Sequence, residues 1–315
     1  MTEFTTVLGA VLPVFGIIVA GLVMRKLEWL TEEADQSLLR VTLRLLVPCL
    51  ILDSILGNTA LTQWRNLLLP PALGFGSVAL GMGLAALAGL WHRLDQPEAR
   101  RTFVAAVGIY NYGYVPLPLA LLLFDKATVG VLFVFMLGVE AALWTLGVMV
   151  LTGQGVGRNW RQALNAPLLA LLGALALNAL GGQALVPDPA RTGLHWLGQC
   201  AIPIALILIG AVIADHAREF HSASGWRVMG AAVLLRNGLL PVVFLGLASL
   251  VPASPELRRV LVLEAAMPAA VFPIIMARHY GGDPPTALRV VVSTSLVGLV
   301  SIPLWIRAGL SLLGQ

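Results

Sequence analysis

Asn111, Gly113, Pro116 and Pro118 lie close together inside an apolar run, VGIYNYGYVPLPLALLLF at residues 107–124, whose composition otherwise suits a membrane helix. Proline has no backbone N–H, and its ring blocks the carbonyl four residues back. Two prolines after a glycine therefore predict a helix broken into two short pieces. At membrane depth each freed N–H or C=O is costly unless protein, water or a bound solute satisfies it. One reading makes the break a solute site, with the N-terminus of a half-helix aimed at an anion. The other makes it a proline kink that only shapes packing. The Asn111 amide carries donors and an acceptor, which suits a carboxylate or nearby carbonyls; its plainer role is to cap one half-helix.

Ionisable residues in other apolar runs are the remaining candidates for chemistry. Glu140, within FMLGVEAALW, is either a proton or cation site or the partner of an arginine such as Arg236. Glu264 precedes a second pair of prolines, Pro268 and Pro273, in LEAAMPAAVFPIIMARHY. It offers the same coupling chemistry or simply reaches an aqueous cavity. Arg236, in VLLRNGLLP, is placed to attract an organic anion or to anchor Glu140. Asp53 and Arg44 are spaced so as to lie on different helix faces, so they do not read as a pair. Asp53 stands near a span end, either solvated or on a transport path. His195, His216, His221 and His279 fall at loop edges, and no two have metal-ligand spacing. Cys49 and Cys200 lie in apolar runs and read as free thiols. No Walker A motif, GxSxG elbow or HExxH helix occurs, so no catalysis, metal or cofactor is indicated.

Composition determines what kind of scaffold carries these residues. With 58% hydrophobic and 11% charged residues and a mean hydropathy of +0.87, the chain is far from the ~25% charge of soluble domains. It reads as an all-α polytopic membrane protein. The formal net charge of +4 comes from basic residues scattered through short loops, a pattern of loops facing anionic lipid and not of nucleic-acid binding. Apolar windows predict ten spans, at 4–24, 34–56, 66–90, 102–124, 128–151, 163–181, 192–214, 225–250, 256–277 and 287–312. The amino-terminal run lacks the basic lead and cleavage site of a secretory signal and is read as the first span. Gly74, Gly76, Gly81 and Gly83 in the third predict close approach of neighbouring helices. A glycine-rich polar linker, 152–162, separates a first half, 1–151, from a second, 163–315.

The halves correspond. Pro13 and Pro167, Pro48 and Pro203, and Pro118 and Pro273 stand at nearly one separation, with LVPCLIL against AIPIALIL around the middle pair. Five spans per half is an odd number, so two like halves must enter the membrane in opposite orientations. Broken segments at matching positions of such inverted repeats point to a secondary transporter with its site near the midplane. Arg25, Lys26, Arg93, Arg100, Arg101, Arg158 and Arg161, among others, weight one side over the side of Arg65, Lys126, Arg191, Arg258 and Arg259, which predicts both termini outside.

NYGYVPLPL, residues 111–119, resembles the fourth-span signature of the auxin efflux carrier family. EAAMPAAVFPIIMARHYGGDP, 264–284, followed by STSLVGLVSIPLW, 293–305, resembles its carboxy-terminal signature. The resemblance implies ten helices in two inverted five-helix repeats of the sodium/bile-acid symporter type, related to the sodium/proton antiporter fold. Helices 1, 2, 6 and 7 would form a scaffold, often dimeric; helices 3–5 and 8–10 would form a transport domain whose broken helices four and nine cross at the site. Auxins and dicarboxylates are the substrate classes it implies. Asn111, Gly113, Pro118 and Pro268 match the motifs. The chain departs at Tyr114, where the family commonly has a second Asn, and at Pro116, where it commonly has Gly. Tyr114 stacks on a substrate ring or fills space.

The expectation is a secondary carrier of a small organic anion in the inner (plasma) membrane, working by alternating access and dimeric through its scaffold helices. The half-helix N-termini at Pro116/Pro118 and Pro268/Pro273 would bind the carboxylate, and Asn111 would orient it. Glu140 or Glu264, with Asp53 and Arg236 as further candidates, would carry a coupling proton or sodium ion. Two alternatives stay open: a cation-coupled antiporter on the same fold, and a receptor or channel-like sensor without coupled transport.

Overall fold

The computed structural model describes residues 4–91, 96–153, 165–216, 225–312 and 314. The linker beyond Gly153, His221, Arg93, Arg158, Arg161 and Arg218 lie outside them. The first half comprises α1 (Phe4–Lys26), α2 (Glu32–Val41), α3 (Val47–Ile55), α4 (Arg65–Trp91), α5 (Pro97–Gly108), α6 (Pro116–Leu123), α7 (Lys126–Ala142) and α8 (Val148–Thr152). The second comprises α9 (Ala166–Ala179), α10 (Asp188–His216), α11 (Trp226–Val233), α12 (Leu240–Leu250), α13 (Pro255–Ala266), α14 (Phe272–Tyr280) and α15 (Pro284–Leu312). Among the described residues, six runs are long and apolar enough to cross a membrane: α1, α4, α7 through α8, α10, α11 through α12, and α15. Large apolar side chains such as Leu68, Leu87, Leu169 and Leu250 are exposed on the outside, as a lipid-facing surface requires.

Among the described residues, three joints within longer helices are single wide π turns: Thr42–Leu46 between α2 and α3, Leu143–Gly147 between α7 and α8, and Leu234–Leu239 between α11 and α12. Two of them precede a proline, Pro48 and Pro241, whose missing N–H and bulky ring the wider turn accommodates. Pro241 leaves the carbonyl of Asn237 without its helical donor, and the Trp305 indole N–H fills the place at 2.7 Å. The stretch predicted as the second span is thus one helical run with a wide turn in it. The sixth is shorter than its predicted window, and the fourth and ninth are each in two pieces.

Glycine sets how the helices touch. A Cβ on Gly21 of α1 would fall 2.1 Å from the Ile207 carbonyl oxygen on α10, and one on Gly210 of α10 would fall 2.0 Å from that of Ile18 on α1. The pair α4 and α7 repeats the device: Gly74 meets the Phe135 carbonyl and Gly138 the Pro71 carbonyl. Of the glycines predicted to matter in α4, Gly74 and Gly81 are in such contacts, whereas Gly76 and Gly83 face open space. Helices α1, α3, α9 and α10 pack mainly on one another, and α4, α5, α7 and α11 to α15 on one another. Contacts of α1 with α15 and α6, and of α3 with α7, join the two groups.

One end of the bundle is tied by side chains. Asn58, after α3, donates to the carbonyl of Lys126 at 2.9 Å, and Asn178 of α9 donates to the Asn58 carbonyl at 3.1 Å. Ser254, the N-cap of α13, donates to Asn66 at 2.7 Å. Asp125 caps α7, accepting from the Thr128 N–H and hydroxyl at 2.8 Å each and from Arg259 at 2.9 Å. Partial burial works against its ionised form, but these bonds and the Arg259 charge outweigh it and hold the carboxyl below its usual range. A depressed carboxyl stabilises the fold above its unfolded pKa of about 3.9, and that stabilisation is lost as pH falls through the lower folded value. Asp125→Asn, which keeps the cap but loses the charge, should therefore lower the melting temperature slightly at pH 7. The difference from wild type should begin to shrink below about pH 4 and vanish only below the depressed folded value.

Candidate solute site at the paired helix breaks

Helices α5 and α13 are 12 residues each and both open on proline, at Pro97 and Pro255. Each ends in extended backbone, at Ile109 (φ −91, ψ 104) and Met267 (φ −72, ψ 140). The two extended stretches pair with each other: Asn111 N–H donates to the Pro268 carbonyl at 2.8 Å and Ala270 N–H to that of Ile109 at 3.0 Å, around a Tyr110/Ala269 bridge. Each break thus satisfies part of what the other leaves open. From α15, the Thr294 hydroxyl accepts the Ala269 N–H at 3.1 Å.

The chain resumes as helix at Pro116 for α6 and at Phe272–Pro273 for α14. Pro116, Pro118 and Pro273 fall in the first turn, where a missing N–H costs nothing and φ is already helical. Among the described residues, the N–H groups of Tyr112, Gly113, Tyr114 and Phe272 have no hydrogen-bond partner. Asn111 is 7% exposed. Its Oδ1 accepts the Val115 N–H at 3.1 Å, the capping role the sequence allowed, while its Nδ2 has no partner among the described residues. Gly113 lies against α7: a Cβ there would come 3.1 Å from the Met136 methyl.

Glu140 faces this break, but not with the partner that the sequence suggested. Tyr112 donates to its Oε1 at 2.6 Å and the Trp144 indole to its Oε2 at 3.0 Å. The π turn after α7 carries Trp144, whose ring meets that of Phe272 edge to face at 5.7 Å. Tyr112, Tyr114, Glu140, Trp144, Val271 and Phe272 are all half-buried.

The pairing of Glu140 with Arg236 does not form, because Arg236 is committed elsewhere. Projecting from the π turn of the α11–α12 run, it donates to the Met267 carbonyl at 2.8 Å and to the Glu264 carbonyl at 3.1 Å at the end of α13, the latter also taking the Met267 N–H at 3.3 Å. Its guanidinium lies 4.4 Å over the Tyr110 ring and 5.4 Å from that of Phe244, and it is 0% exposed. It therefore caps the C-terminus of a half-helix, where a cation also suits the dipole, instead of facing an anion in the open. Glu264 is 1% exposed, and neither carboxyl oxygen has a hydrogen-bond partner among the described residues. It lines a cavity of ≈ 180 Å³ between α4, α12 and α13, beside the Tyr110–Ser77 hydroxyl pair at 2.6 Å.

Asp53 belongs to the other helix group: its carboxylate is 3.0 Å from His195 Nδ1 across the α3–α10 contact. His195, predicted at a loop edge, lies within α10. The structure thus brings Asn111, Gly113, Tyr114, Pro116, Pro118, Pro268, Pro273 and Glu140 to one place, with Arg236 and Glu264 behind the second break and Asp53 apart. Sequence reasoning missed Tyr110, Tyr112, Trp144 and Thr294; the two tyrosines flank Asn111 in the motif itself, which was the signal available.

The family profile described as membrane transport protein matches the chain over residues 6–159 and 156–306. A relative named as an uncharacterized transporter, from Methanothermobacter thermautotrophicus, is 25% identical over 300 residues, 94% of this chain and 96% of that one. Another of the same description, from Methanocaldococcus jannaschii, is 23% identical over 302 residues, with the same coverage of both chains.

Proposed function

Because the chain belongs to the membrane transport protein family, which takes in the auxin efflux carriers, we propose that it is a secondary carrier moving a small organic anion across the membrane by alternating access. The observation that carries this reading is the pairing of two interrupted helices around unpartnered N–H groups and the open Asn111 amide. Two half-helix N-termini there supply positive potential for a carboxylate. Counting the run from Glu32 to Ile55, α9 and the two interrupted pairs alongside the six long helices supports ten spans. The like-built α5/α6 and α13/α14 support two inverted repeats. The preferential packing of α1, α3, α9 and α10 supports a scaffold against which the remaining helices move in an elevator-like way, and a homodimer through that scaffold. In this reading both termini are outside an inner membrane, and Glu140 or Glu264 carries a coupling proton.

Reconstitution into sealed vesicles tests it. Accumulation of a labelled carboxylate above its outside concentration is the expected result; equilibration alone would make the protein a channel. The open carboxyl oxygens of Glu264 favour a second reading, a cation-coupled antiporter. Sodium-dependent thermal stabilisation, lost on Glu264→Gln, would favour that one.

A further inference from the structure

We infer that the transported solute is amphoteric, a small zwitterion whose carboxylate meets the two half-helix N-termini and whose protonated amine meets Glu140 beside Tyr112 and Trp144. This rests on the carrier reading of the same site, keeps its carboxylate-binding pole, and replaces the simple anion by a carboxylate that also carries an amine. The partners of Glu140 are the neutral groups of Tyr112 and Trp144, so its charge is unanswered by any cation bonded to it among the described residues. Two helix N-termini contribute roughly half a positive charge each. Against one carboxylate, the site is close to balanced before the solute enters. A dicarboxylate would bring a second negative charge toward Glu140, whereas a zwitterion places each of its charges against the opposite one.

The geometry puts both poles within the length of a small molecule. Tyr112, which binds Glu140, adjoins Asn111 and belongs to the stretch with free N–H groups. Phe272, which opens α14 and has a free N–H, packs its ring on Trp144. Each pole of the site is thus built from the same residues that wall the other. Tyr112 and Trp144 on a carboxylate, with the Phe272 ring packed on Trp144, offer an ammonium a charge to meet beside electron-rich rings. All of them are half-buried, while Phe133, Phe135, Val139 and Leu143 on the same helical run are closed off. The second independent sign of a missing ligand is the unpartnered Nδ2 of the nine-tenths buried Asn111.

Calorimetry and thermal shift on the purified full-length protein test this with matched sets on one carbon skeleton: each common α-amino acid, its deaminated carboxylate and its decarboxylated amine. The expected result is saturable binding of at least one amino acid, about tenfold or more tighter than either analogue. Glu140→Gln, which keeps an acceptor for Tyr112, should abolish the preference over the carboxylate by weakening the amino acid alone. Trp144→Phe, which keeps a ring but frees Oε2, controls for loss of fold and should shift the same ratio less. A deaminated carboxylate binding as tightly as its amino acid to wild type, or a ratio unmoved by Glu140→Gln, would overturn the inference. Carboxylate binding that still depends on Asn111 would leave the carrier site standing in that case. Amino-acid binding indifferent to Asn111 would remove both.

Discussion

Replacing Arg236 by alanine should cost the protein about 3 kcal/mol or more, the range for removing one member of a buried hydrogen-bonded charge network. The variant leaves the Met267 carbonyl without a donor and that of Glu264 with only the Met267 N–H at 3.3 Å, strips the cation from the face of Tyr110, and opens a void among Tyr110, Phe244 and α13. It also removes the positive charge nearest the unpartnered Glu264 carboxyl. Arg236→Lys is the discriminating variant. Lysine keeps the charge but has one point donor where guanidinium spans two carbonyls and lies flat on a ring. If Arg236 works as a cap, the lysine variant should melt well below wild type and only modestly above the alanine variant. A lysine variant as stable as wild type would show that charge alone matters and return Arg236 to the role of anion attractor.

Asn111→Asp should be nearly silent in stability and decisive in binding. Aspartate still offers an oxygen to the Val115 N–H, so the cap on α6, worth about 1 kcal/mol, survives. What it loses is the Nδ2 donor, and what it gains is a negative charge beside the two half-helix N-termini. Affinity for a carboxylate-bearing solute should fall by two orders of magnitude or so, the effect of a donor lost and a like charge gained in a partly buried site. Asn111→Ala loses cap and donor together and should show both effects. Calorimetric titration beside thermal unfolding separates them. Unchanged affinity in the aspartate variant would take Asn111 out of the site.

The two breaks were legible because Pro116, Pro118, Pro268 and Pro273 act through backbone chemistry alone, which holds whatever surrounds them. Their surroundings were not legible. Periodicity assigns a face to a residue on a regular helix, but Tyr110, Tyr112 and Tyr114 lie between helices, where it says nothing about direction. The sequence singled out Tyr114 by its departure from the family motif; the structure gives the hydrogen bond with Glu140 to Tyr112 and the stacked cation to Tyr110. Arg236 and Glu140 were matched because each was a lone charge in an apolar span. The π turns at Leu234–Leu239 and Leu143–Gly147 each rotate the next stretch of helix by an extra residue; Pro241 marks the first only as a kink, and the second has no proline after it. Arg236 was therefore free to serve α13, and Glu140 to meet a tryptophan four positions on in its own run.

The Asn58 tie sets a scale for motion. Its bond to the Lys126 carbonyl links the end of α3, in one helix group, to the first turn of α7, in the other. A neutral bond of this kind contributes about 1 kcal/mol net, only a little above thermal energy. A latch that weak holds the ground state without locking it. Breaking it would set back any second arrangement of the two groups by only about a fivefold factor in population.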